Sequence, residues 1–134
     1  MSTATATKNS RTLIAASTSN TAGSTTRGTV DLRTAFGGIL TIKITNGGTG
    51  PTVQAVGNIL VAHNTGATPT AASAGADWKT IYQVANGTTA STIGEWNYNV
   101  PTGVMHLEVE ITGNTGQAVT CEAFLSEFTS VANA

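Results

Sequence analysis

His106, Glu108 and Glu110 stand at alternate positions of one short run, so in an extended chain they share a face. An imidazole and two carboxylates on one face could hold a divalent cation or work as an acid/base pair. The spacing argues against both. Successive same-face positions lie about 6.5–7 Å apart, so two neighbours can share a metal ion but three cannot without ligands from elsewhere. Nothing ties His63, the other histidine, to this run. An acid/base pair also needs a cleft and one raised pKa, which a flat outward face does not supply. The run reads as a solvated strand face, with no metal, cofactor or catalytic role expected.

Other reactive residues are equally sparse. Cys121 is the single cysteine, so no intramolecular disulfide can form. It alternates with Val119, Ala123 and Leu125 toward one face, and a buried, inert thiol is expected. Ala71-Ala72-Ser73-Ala74-Gly75 lacks the first glycine of a nucleophile elbow and lies in a loop. Gly47, Gly48 and Gly50 precede a strand pattern, not a helix, so they make no phosphate cradle. Asn86-Gly87-Thr88 matches a glycosylation sequon but reads as a turn. Trp78, Tyr82, Trp96 and Tyr98 could form a platform for sugar rings; their alternation with Val84 and Val100 favours a core role.

The elements that must carry these residues are strands. From Arg27 to about Phe128, short alternating runs are punctuated by Asn-Gly, Gly-Gly and Gly-Asn breaks. Leu40, Ile42 and Ile44 alternate with Thr41, Lys43 and Thr45. Val53 to His63 is interrupted at Gly57-Asn58, where a bulge or kink is expected. Trp78 to Ala85 and Thr92 to Val100 follow, and Val104 to Thr112 directs Met105, Leu107, Val109 and Ile111 inward. Gly113-Asn114-Thr115-Gly116 turns the chain into a last run, Ala118 to Phe128. No window carries a sustained helical period with caps. The expectation is an all-β protein: an antiparallel β-sandwich of about 7–8 strands, jelly-roll or immunoglobulin-like, with an extended N-terminal arm. Strand order is not written in periodicity, so the two topologies stay open.

A chain of 134 residues is one domain's worth. Residues 1–26 are expected as a flexible arm and 27–134 as the sandwich domain, because the Ser/Thr/Ala-rich start cannot bury enough apolar surface to fold alone. Within the arm, Arg11, Leu13 and Ile14 belong to a run able to add a strand to a neighbouring subunit. The segment 64–76 is a long loop of small residues, and its Asn64, Thr65 and Thr68 are the other candidate partner-binding residues.

Charged residues make up 10% of the chain and the net charge is −1. That balance offers no basic footprint for nucleic acid and no cationic face for anionic lipid. No stretch approaches the roughly 20 apolar residues of a membrane helix. The first residues carry Lys8 and Arg11 but no apolar leader run, so synthesis in a cytoplasm is expected. A nearly neutral Thr/Ser/Asn/Gly surface tolerates dense packing of copies, which suits an assembly protein.

Several motifs resemble those of small tailed-phage virion proteins of the head decoration, or cement, type. They are Thr21-Ala-Gly-Ser-Thr-Thr-Arg-Gly28, Thr29-Val-Asp-Leu32 and the turn Ile44 to Thr52. Trp78-Lys-Thr-Ile-Tyr82, the run Val100 to Glu110 and the hairpin Gly113 to Thr120 complete the set. The resemblance implies a non-enzymatic protein of the virion head, made in the host cytoplasm. Its β-sandwich would lie over joints between major capsid protein subunits as a homo-oligomer, dimer or trimer. The alternatives are a carbohydrate- or receptor-binding module on the virion, or a tail or adaptor subunit.

Overall fold

The structure, a computed structural model, describes residues 4–66, 69 and 77–133. The described chain is all β, with eight strands: β1 (Ala4–Asn20), β2 (Thr26–Asp31), β3 (Gly38–Asn46), β4 (Val56–Ala62), β5 (Trp78–Ala85), β6 (Ile93–Val100), β7 (His106–Thr112) and β8 (Val119–Asn133). They form two antiparallel four-stranded sheets, ordered β1-β8-β3-β6 and β2-β7-β4-β5. The pairs β1/β8, β2/β7, β3/β6 and β4/β5 run as one long antiparallel hairpin wrapped into a sandwich. That order is a jelly roll, which settles the choice that periodicity left open.

The alternating runs face the core as their polarity dictates. Leu40, Ile42 and Ile44 of β3 are sealed against Leu107, Val109 and Ile111 of β7 and against Val119, Cys121, Ala123 and Leu125 of β8. Each fully buried aliphatic side chain contributes roughly 1.5–3 kcal/mol relative to exposure. Gly57 causes no bulge. The extra residue lies across the ladder on β5, because Ile59 pairs with Tyr82 and Leu60 with Thr80. Ile81 therefore shifts the phase of β5. Val84 stays opposite Gly57, while Trp78 turns to the outer face, into a small separate cluster with Leu60 and Ala62.

Residues 4–20, expected within an arm, form a strand paired along its length with β8 of the same chain. Ile14 is 3% exposed and belongs to the core, with Leu13 packed against it. Two register shifts near Ile14 admit extra residues, and Ser17 takes φ 60° there. At this bulge the Leu13 backbone comes against β2 of the opposite sheet. A Cβ on Gly28 of β2 would fall on the Leu13 carbonyl, so only glycine permits this approach. The physical reason is apolar: Leu13 and Ile14 close the open side of the sandwich beside Val30.

Two buried asparagine pairs lock one end of the roll. Asn20 and Asn114 join the β1–β2 turn to the β7–β8 turn, and Asn46 and Asn86 join the end of β3 to the β5–β6 turn. The opposite end is built differently and carries the features below.

Candidate interaction surface

At the opposite end β8 outruns its neighbour. Its pairing with β3 ends at Gly38↔Glu127, and one further exchange joins Phe36 N–H to the Phe128 carbonyl (2.6 Å) and Phe128 N–H to the Gly37 carbonyl (2.9 Å). Pairing with β1 continues to Ala4↔Asn133. Residues 4–7 and 129–133 therefore make a two-stranded ribbon that projects past the sandwich. Arg11 and Glu127 sit at its root: the guanidinium Nη1 donates to both carboxylate oxygens at 3.3 Å, and Glu127 is buried.

Apolar side chains gather beside the ribbon. Phe36 is 50% exposed and meets Phe128 edge to face, with ring centroids 5.8 Å apart. Ile39 and Val131 are 53% and 58% exposed. A shallow cleft of about 260 Å³ lies beside Ile39, lined by Lys8, Gly38, Ile39, Ser126, Glu127 and Phe128.

The start of the long loop is pinned at the same end. His106 Nε2 lies 3.1 Å from the Asn64 carbonyl and 3.0 Å from the Gly66 carbonyl. Carbonyls only accept, so this nitrogen carries the proton. Arg33 Nη1 donates to the Thr65 carbonyl at 2.8 Å while its fork grips Asp31. The Arg33 hydrogen bond holds the Asp31 carboxyl down at about 2. His106, expected in solvent, is buried because residues 64–66 cover the outer face of its strand.

Glu108 departs from expectation in the same way. It is buried on that outer face, and burial raises its pKa, with Glu110 adding and Arg27 opposing. Thr29 Oγ1 donates to Glu108 Oε1 at 3.4 Å, and Oε2 has no hydrogen-bond partner. Glu110 instead pairs with Arg27 at 2.7 Å and accepts from Asn58 Nδ2 at 3.0 Å. Among the described residues, no group of three His, Cys, Asp or Glu is placed to hold a metal ion.

The candidate partner residues thus separate. Leu13 and Ile14 serve the chain's own core, and Arg11 is engaged with Glu127. Asn64 and Thr65 lie at the ribbon end with their carbonyls pinned, and Thr68 lies outside the described residues. Phe36, Phe128 and Val131 had no periodic signal, because their placement follows from where β3 stops. The four aromatics also separate. Trp78 is buried and Trp96 packs on the core edge, while Tyr82, 46% exposed, stacks on Tyr98 at 5.5 Å where β5 and β6 form the sheet edges.

The fold and this end define a β-sandwich protein. No family model and no curated protein matches the sequence. Solved structures do resemble it. The K3 cleaved adhesin domain of Lys-gingipain from Porphyromonas gingivalis w83 is 12% identical at a TM-score of 0.52, covering 84% of this chain and 73% of that one. The SPBc2 prophage-derived protein YomS is 16% identical at a TM-score of 0.46, covering 91% and 95%. The VP2 subviral particle of infectious bursal disease virus is 14% identical at 0.47, covering 92% and 32%. At such identities the likeness concerns the fold.

Proposed function

We propose that this protein is a non-enzymatic structural component of a phage virion, a decoration protein that lies over joints between major capsid protein subunits and stabilises the head. The observation that carries the reading is the ribbon. Residues 4–7 are exposed and uncharged, and form the outer edge of a sheet that extends beyond the sandwich. Such an edge can take a strand or loop of a capsid subunit through main-chain hydrogen bonds. The motifs that resemble cement proteins support the same reading, and the pinned chain at Asn64 and Thr65 offers a second contact at that end. Repeated copies on a shell gain avidity, because each added contact is effectively intramolecular. Binding only the assembled shell stabilises that state by linkage.

Co-sedimentation with shells assembled from the cognate major capsid protein tests this. Full-length protein should bind stoichiometrically, with weak salt dependence given its few charges. A chain lacking residues 1–7 keeps Ile14 and the Arg11–Glu127 pair and should bind poorly. Shells that fail to retain the full-length protein sink the proposal.

The exposed Tyr82, stacked on the partly buried Tyr98, favours a second reading, a carbohydrate- or receptor-binding surface on the virion. Retention on host surface polysaccharide, lost in Tyr82→Ala, would select it.

A further inference from the structure

The ribbon has two edges, and they differ. The outer edge of β1 is open along residues 4–7 and interrupted from Lys8 inward by Lys8, Arg11 and three register shifts, devices by which natural sheets discourage strand addition. The inner edge belongs to β8 beyond Phe128. There β8 has β1 on one side only, and the lane that β3 fills up to Glu127 holds no strand among the described residues. Residues 128–133 read Phe-Thr-Ser-Val-Ala-Asn, with no charge, proline or glycine. A β-compatible edge so unprotected is a template for another strand.

The register also gives this edge an apolar face. Lys8 pairs with Phe128 and Thr7 with Ser130, so Thr129 is an extra residue on β8. Residues directly opposite in a ladder share a face. Ala6 and Lys8 share one face of β1, so their partners Val131 and Phe128 share it too. Ile39 lies on that face opposite Ser126, and Phe36 contacts Phe128. The bulge thus places the exposed Val131 on the same face as the aromatic pair.

We propose that a second copy of this chain fills the lane, with residues 129–133 of the two β8 strands pairing antiparallel about a two-fold axis at Val131. The lane opens just past the Phe36–Phe128 exchange, and the unpaired stretch of β8 that would enter it has the same length, so the surface is self-complementary. A two-fold contact uses one patch twice and closes on itself. Val131 then meets the partner's Val131, and a sheet of four strands, two ribbons side by side, runs through the dimer. Lys8 lies on β1, away from the axis, and Glu127, where the lane begins, is paired with Arg11, so pairing does not oppose two like charges at the axis. The dimer deepens the decoration reading by naming how copies join, and it stands or falls in purified protein without shells.

Sedimentation equilibrium across a concentration series should show a monomer–dimer equilibrium. Val131→Lys places two ammonium groups at the axis and should weaken association about tenfold or more. Circular dichroism and the melting temperature, unchanged in that variant, confirm that the fold is intact. Opposite Cα atoms in an antiparallel pair lie about 4.5–5.5 Å apart, within disulfide reach. Val131→Cys should therefore oxidise to a linked dimer much faster than Thr129→Cys, whose partner position is Asn133. Buried Cys121 stays out of the reaction. A monomer at every concentration, a trimer, or cross-linking no faster at 131 than at 129 overturns the proposal. Loss of shell binding with the dimer intact would count against the decoration reading alone.

Discussion

The Asn20 side chain donates to the Asn114 side chain at 2.6 Å across 94 residues of sequence, both fully buried. Asn114 Nδ2 returns a bond to the Asn20 carbonyl at 3.1 Å and another to Gln117 at 3.0 Å, while Thr26 Oγ1 donates to Asn20 Oδ1. Four strand ends are tied by two amides whose polar atoms are all satisfied. Asn114→Ala leaves several buried groups without partners, each costing about 1–3 kcal/mol. The expected loss is about 2–4 kcal/mol, read from the urea midpoint at unchanged slope.

Arg11→Ala should destabilise by about 1–3 kcal/mol, because it leaves the buried Glu127 carboxylate without its cation; partial exposure of Arg11 keeps the loss below that of a sealed pair. Adding Glu127→Gln removes the orphaned charge and should restore part of the stability. A double-mutant cycle in urea measures the coupling, and strict additivity would refute it.

Gly28→Ala tests how β1 docks. Its Cβ meets the Leu13 backbone, which cannot rotate away as a side chain could. The expected cost is about 2–3 kcal/mol, with faster amide exchange at Leu13 and Ile14.

Stability should depend on pH through two carboxyls of opposite sign. Glu108 has a raised folded-state pKa, caused first by burial. Such a group favours the folded state fully below its unfolded value, and that contribution is lost as pH rises through the folded pKa. Glu108→Gln should therefore gain on the parent as pH climbs above the ordinary carboxylate range of about 4. Asp31, held at about 2 by Arg33, contributes above its unfolded value and loses that contribution as pH falls through about 2. Asp31→Asn should be slightly less stable at neutral pH and converge with the parent in strong acid. Denaturation midpoints across this range measure both trends.

Burial pushes the Cys121 thiol up to about 11, and Sγ donates to the Thr18 carbonyl at 3.5 Å. The native protein should resist a thiol reagent at neutral pH and react fully once unfolded. Rapid native labelling would mean that the β1–β8 seam opens.

The class of fold was legible in the chain because period-two polarity is local: Leu40, Ile42 and Ile44 must face away from Thr41 and Lys43 wherever the strand goes. The burial of Cys121 and the turn at Asn114 followed from the same local logic. What the sequence could not carry is partnership between distant segments. Nothing near Ile14 announces that its apolar run closes this chain's own sandwich, because that depends on β8 more than a hundred residues away. His106 and Glu108 alternate outward as expected, yet both are buried, His106 beneath residues 64–66. One extra residue at Ile81 turns Trp78 away from the core, and one at Thr129 puts Val131 on the same face as Phe128. Periodicity determined which residues share a face within a strand; only the assembled sheets decided what each face meets, because ladder register and strand order are set by long-range pairing and not by neighbours in sequence.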